Sequence, residues 1–98
     1  MNKVKEEFCI SVLSNVCESK FDRDEYSIGS PQECSVCIER IADNWGVYEK
    51  EKNSKNDLYL FDNIIEACID FLRRLCRDEE YKEVKSVFLD AIIIRESA

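Results

Sequence analysis

Apolar residues recur at helical spacing through most of the chain, and four amphipathic segments can be read from that periodicity. The first covers residues 3–20. Val4, Phe8, Val12 and Val16 form one row and Cys9, Leu13 and Cys17 the adjacent row, a single broad stripe with Lys3, Lys5, Glu6, Glu7, Ser14 and Glu18 outside it. A polar loop from Phe21 to Gly29 follows. Ser30-Pro31-Gln32-Glu33 then has the form of a helix start. The serine is placed to cap, the missing N–H of proline costs nothing at the first helical position, and the glutamate can reach back to the serine N–H. These residues predict a second helix over 31–50 that buries Cys34, Cys37, Ile38, Ile41, Ala42, Trp45 and Tyr48, with Gly46 loosening its end.

Lys52–Asp57 reads as a turn in which Asn56 or Asp57 caps a third helix over 58–77. Apolar groups from Leu58 to Cys76 cover more than half of its circumference, so it is the most enclosed helix. Arg73, Arg74 and Arg77 at its C-terminal end suit the helix dipole. A second apolar series, Tyr81, Val84, Val87, Phe88, Ala91 and Ile92, predicts a fourth helix over 79–96. One continuous helix from Leu58 to Arg95 would be roughly 57 Å long, too long for a compact domain of this size. A break is therefore expected at Arg77–Glu80 with Asp78 as the cap; without it the chain would be a dimer. The predicted fold is all-α, an antiparallel four-helix bundle in a single domain over residues 1–98.

Composition narrows the function. The 98 residues include 21 acidic and 14 basic side chains, no histidine, two glycines and one proline, for a net charge of −7. The absence of histidine removes the usual general base and neutral metal ligand. Two glycines leave no glycine-rich phosphate loop. A net negative chain is a poor ligand for nucleic-acid phosphates, which are bound through Lys and Arg. Glu6 and Glu7 stand where a signal peptide needs an apolar run, and no stretch approaches about 18 consecutive apolar residues. The expectation is a cytoplasmic protein with no membrane partner.

Six cysteines, at positions 9, 17, 34, 37, 68 and 76, are many for this length. Cys9 and Cys17, like Cys68 and Cys76, fall on one side of their helices, so buried free thiols are expected. Cys34-Ser35-Val36-Cys37 is the one local motif; at a helix start the dipole could stabilise its first thiolate. A redox site would need a preceding strand, and a structural zinc site two more thiolates. No metal and no cofactor are expected.

Three acidic constellations remain. Asp62, Glu66 and Asp70 lie at i, i+4 and i+8 of the third predicted helix, with Tyr59 at the head of the row. Like charges at that spacing destabilise a helix by about 0.2–0.5 kcal/mol per pair. The stripe is either the solvated strip of a buried helix or a partner-binding face. Asp22, Asp24, Glu25 and Tyr26 on the loop are either an ordinary polar connection or an acidic patch with an aromatic anchor. Asp78, Glu79, Glu80 and Glu83 are explained by the dipole at a helix start. Every carboxylate falls at a solvated helical position, so no catalytic pair with a raised pKa is expected, and the protein is read as no enzyme.

In size, acidity, helical patterning and lack of catalytic chemistry, the whole chain resembles the small acidic α-helical immunity proteins of bacterial nuclease toxins, as found in contact-dependent growth inhibition and tRNase-colicin systems. The features that carry the resemblance are the four amphipathic segments, the capped start at Ser30 and the acidic sites at Asp22–Glu25 and Asp62–Asp70. It implies a cognate basic toxin, a ribonuclease or tRNase, held at its active site or an exosite by Asp22, Asp24, Glu25, Tyr26, Tyr59, Asp62, Glu66 and Asp70. The alternative is a helical adaptor or dimeric regulator that self-associates through Ile92–Ile94; the chain itself is expected as a monomer or a homodimer.

Overall fold

The computed structural model describes residues 3–33, 35–52 and 54–97, with side chains over 5–33, 35–52 and 54–93. The chain runs α1 (Lys3–Lys20), β1 (Tyr26–Ile28), β2 (Ser35–Ile41), β3 (Asn44–Glu51), β4 (Ser54–Phe61), α2 (Ile64–Leu75) and α3 (Asp78–Ser97). The four strands form one sheet in the order β1-β2-β3-β4. β1 pairs parallel with β2, and β2, β3 and β4 form an antiparallel meander. The fold is thus α+β, not an all-α four-helix bundle.

The helix expected over 31–50 does not form. Its residues make β2 and β3, joined by a tight turn at Ala42-Asp43. Ser30 caps nothing: its carbonyl accepts the Ser27 hydroxyl, and Gln32 O accepts the Ser35 hydroxyl at 2.7 Å, so Ser30–Glu33 is the turn that leads into β2. The first four residues of the helix expected over 58–77 belong instead to the edge strand β4. Helix α2 starts six residues later, at Ile64, where Asn63 Oδ1 accepts the N–H of Ile65 (2.8 Å) and Glu66 (3.3 Å). Asn63 is therefore the cap, in place of Asn56 or Asp57. The break before α3 falls at Cys76–Arg77: Cys76 N–H closes onto Leu72 O and Tyr81 N–H onto Arg77 O, leaving Asp78 as the first helical residue.

Helix α2 lies across β2, β3 and β4 and also packs against α1 and α3. Its Ile64, Ala67, Cys68, Phe71 and Leu72 are buried, together with Cys9, Val12, Leu13, Val16 and Cys17 of α1, Val36, Ile38 and Val47 of the sheet, and Val84, Phe88 and Ile92 of α3. Each fully buried Leu, Ile or Phe contributes about 1.5–3 kcal/mol through removal from water. Side chains alternate along a strand, so Ser35, Cys37 and Glu39 of β2 face away from the helices. That second face also carries Tyr48, which is fully buried and donates its hydroxyl to Glu39. Burial and this hydrogen bond push the Tyr48 hydroxyl well above its ordinary pKa. The chain before β2 lies against the same face, with Gln32 O 3.7 Å from Cys37 Sγ.

Cys9, Cys17, Cys37 and Cys68 are buried, Cys76 is partly exposed, and these five form no disulfide with one another. Burial pushes the Cys17 thiol up to about 12 and the Cys76 thiol up to about 11, and holds Cys68 well above its ordinary value. Cys34 lies outside the described residues; Cys37 stands on a strand, so no helix start lies beneath a Cys34–Cys37 motif. Among the described residues, no helix is long and apolar enough to cross a membrane, and no cluster of Cys, Asp and Glu is arranged to hold a metal ion.

Candidate protein-binding edge

Strand β4 pairs with β3 on one side, and among the described residues no strand meets the other side of its backbone. Along most of its length it is solvent-exposed, including three large apolar residues: Leu58 at 41%, Tyr59 at 63% and Leu60 at 52%. The register explains how they are displayed. Val47 pairs with Tyr59 and Glu49 with Asn56, so Tyr48 alone opposes Asp57 and Leu58. The surplus residue makes a β-bulge, with Asp57 in the left-handed region at φ 52°. Beyond the bulge, Tyr59 and Phe61 lie on the helix side of the sheet and Leu58 and Leu60 on the other side. Leu58 there approaches Gly46 and Ile41: a Cβ built on Gly46 would stand 2.4 Å from Ile41 Cδ1 and 3.3 Å from Leu58 Cδ1.

Acidic groups frame this apolar strip. Asp57 at the bulge, Asp62 just after the strand and Glu66 in the first turn of α2 are all exposed. Arg74 anchors the strand from behind. Its side chain, 6% exposed, donates Nε–H to Asp70 Oδ2 at 2.9 Å and Nη2–H to the Asp57 carbonyl at 2.6 Å. The guanidinium also lies 5.9 Å from the centre of the Tyr59 ring. Arg74 Nη1 is buried, has no hydrogen-bond partner and stands 4.0 Å from Glu49 Oε2. Arg74 borders a groove of about 340 Å³ shared with Glu25, Val36, Glu49, Lys50 and Glu51.

Comparison with known protein families, characterised proteins and solved structures finds no match. The site is therefore read from its own residues.

The structure separates the eight candidate residues. Tyr59, Asp62 and Glu66 meet at the β4 rim, although Tyr59 stands on a strand rather than in a helical row with the other two. Asp70 lies behind that rim, 13% exposed and tied to Arg73 at 2.7 Å and to Arg74. Its hydrogen bond raises the Arg73 guanidinium above its ordinary pKa. Asp22 and Asp24 are exposed in the loop before β1. Glu25 is occupied in shaping that loop, Oε2 accepting the Asp22 N–H at 3.0 Å. Tyr26 is half-buried with its ring edge-on to Phe71, centroids 6.5 Å apart, and so belongs to the core. β1 and β4 are opposite edges of the sheet, about 14 Å apart across three strand spacings. The loop also adjoins the Val36–Glu49–Asn56 end, whereas Asp62 follows the Arg40–Trp45–Phe61 end. The two acidic groups thus sit at diagonal corners and form no single face.

Nor are all carboxylates solvated. Glu6, 12% exposed, accepts from Arg40 at 2.8 Å and from Trp45 Nε1 at 2.7 Å. Glu39, 16% exposed, takes the Tyr48 hydroxyl with Lys55 Nζ at 3.8 Å. These enclosed acids are neutralised by internal partners, so the outward field comes from the unpaired surface ones. Sequence reasoning missed Leu58 and Leu60 as site residues by placing them in a helix, and missed Arg74 by reading it only as a charge that suits the end of its helix. The one local signal for the true boundary is Asp62-Asn63-Ile64-Ile65-Glu66, where an N-cap residue precedes a glutamate by three positions.

Proposed function

We propose that this chain is a non-catalytic binding protein of the immunity type, which neutralises a basic nuclease toxin in the cytoplasm by occupying it with the β4 edge and its acidic rim. The observation that carries this reading is the coincidence of Leu58, Tyr59 and Leu60, all exposed, with the exposed carboxylates Asp57, Asp62 and Glu66. An apolar centre with a charged rim is the anatomy of a protein interface. A nuclease must carry Lys and Arg to hold its polyanion, and a net charge of −7 attracts such a surface over long range. The likeness to immunity proteins rests on size, acidity and the lack of catalytic chemistry read from the sequence, with the helical part of that likeness replaced by an α+β fold. Asp22 and Asp24, at the far corner, contribute through the field rather than by contact.

The test uses the polypeptide encoded directly upstream, as the defined partner candidate. Calorimetry at rising salt should give a 1:1 complex whose affinity falls as salt rises, because exposed charges are screened within about 8 Å at physiological ionic strength. Its ribonuclease activity should fall on addition of the chain. Asp62→Lys with Glu66→Lys should leave the circular dichroism unchanged and weaken binding by at least ~2 kcal/mol. A chain that neither binds nor inhibits this polypeptide defeats the reading.

A further inference from the structure

We infer that the C-terminal half of β4, Leu58–Phe61, is a pairing edge that takes an extended basic segment of the partner as a fifth strand of the sheet. The inference rests on the proposed function for the identity of the partner, and on the edge itself for the mode of binding.

The sheet has two edges, and they differ. β1 is three residues long with every residue half-buried, too short to template another strand. β4 has eight residues, and its two halves are unlike. Up to the bulge it is obstructed: Asp57 is turned into the left-handed region with its carbonyl held by Arg74, and Lys55 is drawn over the Tyr48 ring at 4.9 Å and towards Glu39. Bulges and lysines are the means by which proteins blunt an edge against pairing. From Leu58 onwards neither device is present. Leu58–Phe61 offers regular backbone, with Leu58 and Leu60 exposed on one side and Tyr59 on the other. An added strand would gain main-chain hydrogen bonds from this edge and side-chain contacts on alternate faces, the two ingredients of strand addition.

Charge decides between a second copy of this chain and a basic segment. Antiparallel self-pairing over Leu58–Phe61 places residue 58 opposite 61 and 59 opposite 60. It therefore sets Asp57 opposite Asp62 at both ends, with Glu66 nearby. Like charges directly opposite one another destabilise strand pairing, and each copy adds a net −7. A segment with Lys or Arg at its ends and apolar residues between them reverses every one of these terms.

The experiment uses the full chain and two probes. One is a ten-residue peptide with three lysines at each end and four valines between them, with an N-methylated form that cannot pair and a glutamate form of opposite charge. The other is the upstream-encoded polypeptide. Amide hydrogen exchange should show new protection at residues 58–61 with the lysine peptide, roughly tenfold weaker binding for the N-methylated form, which loses one or two hydrogen bonds, and none for the glutamate form. The double variant Leu58→Lys, Leu60→Lys alters only exposed side chains, so it should fold as the parent does and lose the lysine peptide. No protection at 58–61 with either probe overturns the inference, as does equal binding of the N-methylated peptide. Protection at 58–61 together with doubled mass in sedimentation also overturns it, because the occupant is then a second copy. If the upstream polypeptide binds with salt dependence but leaves 58–61 unprotected, strand addition fails and the proposed function stands. If the lysine peptide protects the edge while the upstream polypeptide is ignored, the edge stands and the function fails.

Discussion

Arg74→Met should cost about 2–4 kcal/mol, a large share of the stability of a domain this small. The substitution keeps an unbranched stem of similar reach and removes the guanidinium. Two hydrogen bonds involving a charged group are lost, to the Asp70 carboxylate and to the Asp57 carbonyl. Each is worth about 1.5–3 kcal/mol. Against that sum, the buried Nη1, which finds no hydrogen-bond partner in the folded chain, disappears with the rest, a relief of roughly 1–3 kcal/mol. Asp70 is not left bare, because Arg73 still holds it at 2.7 Å. Arg73→Met is the internal control: it touches the same carboxylate, but its side chain is 58% exposed. Exposed pairs contribute only about 0–1 kcal/mol. Urea denaturation of the three proteins measures the difference, and thermal midpoints should drop by roughly 10–20 °C for Arg74→Met alone. Hydrogen exchange should also show lost protection around Asp57, since the clamp from α2 to β4 has gone. If Arg73→Met is as damaging as Arg74→Met, or if Arg74→Met lies within about 0.5 kcal/mol of the parent, burial does not set the strength of these bonds and the reasoning fails.

Alkaline pH should destabilise the fold before any arginine titrates. Cys17 and Cys68 are fully buried and hold their protons above the ordinary 9.0, Cys17 up to about 12. Their contribution is whole below pH 9 and is lost as pH rises towards 12, because the unfolded thiols ionise first. Ionisation of the unfolded Cys17 thiol alone should cost about 1.4 kcal/mol by pH 10, with Cys68 acting in the same direction. Denaturation between pH 8 and 10.5 checks this, and Cys17→Ala with Cys68→Ala should flatten the slope. Ala42 holds φ 54° in the β2–β3 turn, so Ala42→Gly should stabilise by about 0.5–1 kcal/mol in the same assay. An unchanged or lower midpoint would show that the turn is not strained at that residue.

How much of this was legible in the sequence follows from which faces are covered. Residues 3–20 could be read as a helix because α1 is buried on one stripe and wet on the rest. The segment 78–97 could be read for the same reason. β2 hides both faces: Val36 and Ile38 lie under the helices, while Ser35 and Cys37 are buried on the far side. A strand covered on both sides loses its alternation and reads as a continuous apolar run, which Cys37, Ile38 and Ile41 happen to fit at helical spacing. The β-branched and aromatic content from Val36 to Tyr48 pointed the other way. The hairpin turn gave no help, since Ala42-Asp43 lacks the glycine such turns favour. At the candidate site, Tyr59, Asp62 and Glu66 are exposed as expected, but the helical row that linked them does not exist. Leu58 looked like part of an enclosed helix because an apolar residue on an open strand edge carries no mark that separates it from a buried one.

The surplus residue at Asp57 divides β4 into two lengths, each held in register by β3. On the hairpin side, Lys55 and Asn56 take their orientation from the turn at Lys52 and from pairing with Lys50 and Glu49. On the far side, Leu58 to Phe61 take theirs from Phe61, which is packed against the core. Deleting the extra position would leave both lengths facing as they do, because Asn56 stays opposite Glu49 and Tyr59 opposite Val47, and would remove only the local bend. What the extra residue adds is a bend and a stronger twist, which carry the open Leu-Tyr-Leu end of the strand away from its lysine-bearing start.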